Sequence, residues 1–190
     1  MIQSLRNCTN NLYKNAMSRV YMGIDPGEKG FITVMKDNAM IHFSIKDNDF
    51  YRIDEFFKEM KELHPNIVCV MEEVHAIFGS AAKATFSFGE INGLLKGLLI
   101  ANKIPYHLVQ PKKWQGEMWE SKDMVITYKD VFIKGKETKR KEVNTKQTSF
   151  NTASRLFPMV DFRKTDRCKK PDDNKIDSIL LAEYGRRKNL

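Results

Sequence analysis

The sequence predicts an α/β protein: a mixed five-stranded sheet with helices on both faces. Three observations predict it. Short apolar runs separated by turn residues open the folded part, helical-period stripes then alternate with further short apolar runs, and one run, Ile67 to Met71, is apolar almost throughout. The first run, Val20 to Ile24, ends at Asp25-Pro26-Gly27; Phe31 to Met35 and Met40 to Ile45 follow, with Asp37-Asn38 between them as the turn of a hairpin. Ile53, Phe56, Phe57, Met60 and Leu63 recur at helical spacing until His64-Pro65 stops the helix. Ile67 to Met71 reads as a strand covered on both sides. A stripe of Phe88, Ile91, Leu95, Leu98 and Leu99 marks a second helix, and Tyr106 to Val109 a fifth strand. Helices over Thr145 to Leu156 and from Pro171 or Asp172 to about Arg187 complete the chain, with Ile176, Ile179, Leu180 and Tyr184 on one face of the last.

At 190 residues, with 42% hydrophobic content, the chain can bury a core without disulfides. Residues 1–19 hold Arg6, Lys14 and Arg19, no acid and no sustained apolar face, which predicts a disordered extension ahead of a single domain at 20–190. An acid-free basic leader faintly resembles a mitochondrial presequence, but its asparagines fit poorly. Cys8, Cys69 and Cys168 form no CxxC pair and read as reduced thiols of a cytoplasmic protein, with Cys69 in the core. No stretch approaches the roughly 18 apolar residues that a membrane span requires.

The net charge of +8 is localised. Residues 134–146 carry six basic side chains against two acidic, and residues 163–170 five against one, so each contributes +4. One such run is ordinarily a solvated face; two in one half of an otherwise balanced chain point to a polyanion, and nucleic acid is the commonest.

Three acidic sites lie where an apolar element meets solvent. Asp25 directly follows the first strand, and Glu72 with Glu73 directly follows the fourth. Because side chains alternate along a strand, only one of that pair can face the same site as Asp25. Asp173 and Asp177 stand four apart near the start of the last helix and share a face. Acids in a first turn meet the helix dipole, and Asp172 suits the cap, but Asp177 lies a full turn inside, where capping does not explain it. Together, Asp25, Glu72, Asp173 and Asp177 would form an all-oxygen site for magnesium, a hard cation. Two such ions can serve an in-line phosphoryl displacement.

Gly23-Ile24-Asp25-Pro26-Gly27, Met71-Glu72-Glu73-Val74 and Asp173-Asn174-Lys175-Ile176-Asp177-Ser178-Ile179-Leu180 follow the order and spacing of RuvC-type Holliday junction resolvases of the RNase H-like superfamily. Between them, Phe86 to Leu95 and Val109-Gln110-Pro111-Lys112-Lys113-Trp114 resemble the phage-type branch, and the likeness runs over residues 20–187. The resemblance implies an RNase H-like fold, a homodimer, and paired symmetric nicks in four-way DNA junctions by two-metal-ion hydrolysis, with magnesium or manganese. Carried over by position, it places catalytic and metal-binding roles on Asp25, Glu72 and Asp177. Many members have an acid where this chain has Asn174, so Asp173 is expected to serve instead. The junction-wedging aromatic of the family falls at His75, with Phe78 next nearest.

Expected DNA contacts are Lys83, Lys112 and Lys113 beside the site, Lys139, Arg140, Lys141 and Lys146 in the first basic run, Lys169 and Lys170 in the second, and Trp114, Phe78 and His75 as stacking or wedging groups. Gly89, Gly93 and Gly97 recur every fourth residue, which predicts close helix packing, a dimer interface being one place for it. Two rival readings share these features: an RNase H-type or flap nuclease, with the same metal chemistry on another substrate, and a DNA-binding module without catalysis.

Overall fold

The computed structural model describes residues 19–37, 39–73, 82–133 and 136–190. Eighteen of the expected extension's residues and the loop carrying His75 and Phe78 lie among the rest, outside the described residues. Five strands form one sheet: β1 (Tyr21–Asp25), β2 (Phe31–Lys36), β3 (Ala39–Ser44), β4 (Val68–Glu72) and β5 (Tyr106–Val109), in the order β3-β2-β1-β4-β5. β1, β2 and β3 are antiparallel neighbours, whereas β1, β4 and β5 run parallel. The mixed five-stranded sheet is therefore the one the apolar runs predict. Asp37 takes a positive φ of 53° at the turn between β2 and β3, a conformation that Asp tolerates.

The described helices are α1 (Phe50–Leu63), α2 (Ala82–Ala101), α3 (Pro111–Met118), α4 (Thr145–Leu156) and α5 (Asp173–Lys188). Strand parity sorts the core into two layers. Met22, Ile24, Ile32, Val34, Cys69 and Met71 pack with Ile53, Phe57, Leu95 and Leu99 of α1 and α2. Tyr21, Met35, Val70 and Val109 point the other way, onto Trp114, Ala153, Ile176, Ile179 and Leu180 of α3, α4 and α5. Helices thus cover both faces, and the free thiol of Cys69 is buried, with burial pushing its pKa up.

Two elements depart from the expected order. Pro111–Met118 is a helix, with Pro at its start, where a missing N–H costs nothing. Residues 126–143, of which the basic run at 134–146 covers only the second half, form a two-stranded antiparallel ribbon, β6 (Ile126–Ile133) and β7 (Lys136–Val143), outside the main sheet. The glycine stripe of α2 faces none of the described residues. A Cβ at Gly89, Gly93 or Gly97 would meet nothing within 4 Å, so the predicted close packing is not made against the described part of this chain. No described helix is long and apolar enough to cross a membrane.

Candidate active site

Parity also decides which acids meet. Asp25 ends β1 and shares the sheet face of Tyr21 and Gly23, the face covered by α5. Glu72 ends β4 on the face of Val70, the same one. Ile24 pairs with Met71 in the parallel register, so the two carboxylates leave neighbouring strands at the same level. Glu73, one residue on, holds the strand end by donating its backbone N–H to Val109 O at 2.7 Å.

The third acid arrives from above. A Cβ on Gly23 would lie inside van der Waals contact of the Ser178 carbonyl oxygen and 2.5 Å from Ala182 N, so α5 rests on the backbone of β1 itself. A Cβ on Gly185, two turns further along, would sit 2.8 Å from Val70 Cγ2 and 3.1 Å from Tyr21 Cδ1. Only glycine permits these approaches. Ser178 is further fixed by its hydroxyl, 2.7 Å from Thr33 Oγ1, which in turn lies 3.0 Å from His42 Nδ1. Asp177 precedes Ser178 and is thereby carried to the Asp25 end of β1.

The electrostatics record the convergence. Burial holds Asp25 well above the usual carboxylate range, reinforced by the charges of Asp177, Glu72 and Asp172. Burial raises Asp177 to about 7, assisted by Glu72 and Asp173 and opposed by a hydrogen bond with Ser149 and the charge of Lys146. Glu72 is raised by burial and lowered in part by the Trp114 N–H, which donates to its Oε1 at 2.8 Å. Asp177 Oδ1 is buried and finds no hydrogen-bond partner among the described residues. Asp172 caps α5 as expected, accepting from the N–H groups of Asn174 and Lys175 at 3.0 and 3.1 Å. Asp173 lies at the first turn, ion-paired to Lys146 Nζ at 2.8 Å.

Asp25, Glu72 and Asp177 therefore share one electrostatic neighbourhood, with Asp173 at its rim. Among the described residues, no group of three or more acidic, histidine or cysteine side chains is already drawn together closely enough to hold a metal ion.

The expected DNA contacts fare unevenly. Trp114 is a correction: it is fully buried, its ring packs edge-on to Trp119, and its N–H is engaged with Glu72, so no ring face remains for stacking on a base. Its placement in a helix that turns the indole inward is the reason, and sequence gave no sign of that helix beyond Pro111. Lys112 and Lys113 are exposed on the outer side of the same helix. Lys139, Arg140 and Lys141 are exposed on β7, Lys146 on α4, and Lys169 and Lys170 just ahead of α5. Lys83 lies in the first turn of α2. Lys175, missed from sequence, is buried and donates to the carbonyls of Asp161 and Arg163 at 2.8 and 3.0 Å, tying the second basic run to α5. Ser149 holds the buried Asp177 and Lys146 the rim Asp173; their spacing of three on α4 is the signal that sequence offers for this role.

No protein-family model matches the sequence, and no curated protein matches it significantly. Solved structures do. Thermus thermophilus RuvC in complex with a Holliday junction substrate superposes with a TM-score of 0.55 at 11% identity, over 90% of this chain and 96% of that one. The yeast mitochondrial Holliday junction resolvase Ydc2 gives 0.51 at 16% identity, over 90% of this chain and 78% of that one. The likeness establishes the architecture: this chain has the RNase H-like fold that those two structures share.

Proposed function

We propose that the protein is a divalent-cation-dependent endodeoxyribonuclease that acts as a homodimer and resolves four-way DNA junctions by paired symmetric nicks. The observation that carries this reading is the meeting of Asp25 and Glu72, at level ends of two parallel strands, with Asp177 of the overlying helix: Asp177 and Glu72 both raise the proton affinity of Asp25, and Glu72 raises that of Asp177. Such a cluster disfavours its own ionisation and calls for a positive charge. The fold shared with RuvC and Ydc2 supports the same reading, because those proteins act on Holliday junctions.

The donor set suits a hard cation. It is all oxygen, and the buried, unpartnered Asp177 Oδ1 is an acceptor in want of a donor or an ion. Asp25, Glu72 and Asp177 would hold it, with Asp173 as the fourth ligand. Bound magnesium, with manganese as a substitute and two ions per site, supplies Lewis-acid activation of a phosphodiester and of the attacking water.

The chain's own groups do the positioning. Trp114 orients Glu72, and Ser149 orients Asp177. Lys146 keeps Asp173 in place and has the exposure to exchange that carboxylate for a phosphate. Lys112, Lys113, Lys169 and Lys170 offer cations to the DNA backbone around the acids. A twofold dimer matches a twofold junction, so that two sites address two strands symmetrically.

The test is an assay of the purified protein with magnesium on a labelled immobile junction, a matched linear duplex, a flap and an RNA-DNA hybrid. Preferential paired cutting of the junction is expected. Equal cutting of all four, or preference for the hybrid, overturns the resolvase reading; tight junction binding with no cutting assigns the chain to DNA binding alone.

A further inference from the structure

Beyond the sheet and its helices, β6 and β7 pair with each other over eight residues each, from Ile126↔Val143 to Ile133↔Lys136, and neither joins the main sheet. At strand rise the ribbon is roughly 25 Å long. Its sides are bare: Thr127, Tyr128, Lys129, Asp130 and Phe132 are exposed on β6, and Glu137 to Lys141 on β7. A lone hairpin of this kind is marginal in water, so a long one with both faces solvated is a surface that gains by binding something.

Its charge says what. Residues 126–143 hold six basic side chains against three acidic, a net +3. Lys129 and Arg140 are direct cross-strand partners, a like-charge pairing that destabilises a ribbon standing alone. Neither they nor Lys141 forms an ion pair among the described residues. A row of phosphates converts that repulsion into attraction. On the other face, Tyr128 and Phe132 are 67% and 77% exposed, beside Lys139 and Lys141.

The root of the ribbon is stiff and lies next to the acids. Asn144 donates its N–H to Val125 O at 2.8 Å, and Val125 donates to Thr148 Oγ1 at 3.1 Å. Just ahead, Asp123 is gripped by Arg155 of α4, whose Nη2 lies 2.6 Å from Oδ2, and Asn151 donates to the Asp123 carbonyl at 3.0 Å. Three residues past the end of β7, Lys146 pairs with Asp173. The ribbon is thus braced on the helix that borders the candidate site.

We infer that the β6–β7 ribbon is a DNA-gripping arm that lies in the major groove of a duplex beside the acids, with Lys129 and Arg140 on its phosphates. A major groove about 12 Å wide admits a two-stranded ribbon. The inference rests on the nucleic-acid reading above, and it predicts a contact with plain duplex as well as with a junction arm.

Two variants of the full chain test it: Lys129→Ala with Arg140→Ala, and a replacement of residues 128–141 by a two-residue Asn-Gly turn. Each is compared with the parent by fluorescence anisotropy on a labelled four-way junction and a labelled linear duplex, in chelator, across a salt series. Binding to both DNAs is expected to weaken on the order of tenfold, with the salt slope of the double variant shallower by about 2. The melting temperature of the double variant stays at the parental value. Unchanged affinity and slope in both variants overturn the inference. So does a shift of oligomeric state in sedimentation with DNA affinity intact, which would assign the ribbon to a second copy of the chain. A parent that binds DNA through the ribbon yet cuts no junction leaves the arm standing and removes the nuclease reading, so the two failures are separable.

Discussion

The indole N–H of Trp114 reaches Oε1 of Glu72 at 2.8 Å, from a ring that is itself wholly buried. The bond favours the ionised carboxylate against the burial that disfavours it. Trp114→Phe keeps an aromatic body in the core and removes the donor. The expected result is a retained fold, a pH-rate profile displaced to higher pH, and a cation requirement increased about 10- to 100-fold, the usual effect of losing a group that orients a ligand. A profile that coincides with the parent's would show that the bond is incidental.

Asp25 sits where burial and three neighbouring negative charges act together. Asp25→Asn removes the charge while keeping shape. Magnesium-dependent cutting should fall on the order of a thousandfold or more, while junction affinity in chelator is kept. In the same chelator the melting temperature should rise, because the repulsion is relieved. A drop in melting temperature would instead assign Asp25 a structural role.

The pH dependence of stability follows from Asp177 and His42. Asp177 has its proton affinity raised to about 7 in the folded chain, so the folded state holds a proton that the unfolded state has released; stability from this source is present at low pH and is lost as pH rises through 7. His42 is lowered to about 4 by burial and by Lys175, which makes stability increase with pH up to its unfolded value of 6.5. The two oppose each other up to about one unit above 6.5, where the unfolded histidine is still releasing its proton, and beyond that only the carboxylates act. Cation-free protein should therefore lose about 1 kcal/mol between pH 6.5 and 8 from Asp177, read as a falling melting temperature. Asp177→Asn should flatten that decline, and magnesium should suppress it by occupying the acids.

Gly23 and Gly185 set the height of α5 over the sheet, but with different tolerance. A methyl group at Gly23 meets backbone, which cannot move aside. Gly23→Ala should cost more than about 3 kcal/mol and leave little soluble protein. At Gly185 the obstacles are Val70 and Tyr21 side-chain atoms, so Gly185→Ala should cost about 1–3 kcal/mol and leave a folded chain with weakened cutting. Thermal denaturation of the two variants side by side checks the order.

The sheet and the acids were legible for the same reason. β1, β2 and β4 are buried almost throughout, so their sequences had to be apolar, and an acid at the end of such a run is conspicuous. The ribbon was illegible because both its faces meet water: nothing selects an apolar alternation, and Lys129 and Arg140 look like any charge run until their register is known. Trp114 misled because an aromatic beside two lysines looks exposed, and only the inward side of α3 reveals otherwise. The glycine stripe of α2 was visible, but repeat spacing alone does not say what lies opposite, and among the described residues it is open space.

Helices ordinarily stand on sheets through a cushion of side chains, whose volume drifts as residues are exchanged. At Gly23 the cushion is missing, and backbone bears directly on backbone, with Gly185 as a second bearing two turns away. Substitutions elsewhere in that cushion can then alter its filling without altering the gap across which Asp25 faces Asp177. The chemistry is insulated from the wandering of the interior, and a chain built this way can change most of its letters and keep its spacing.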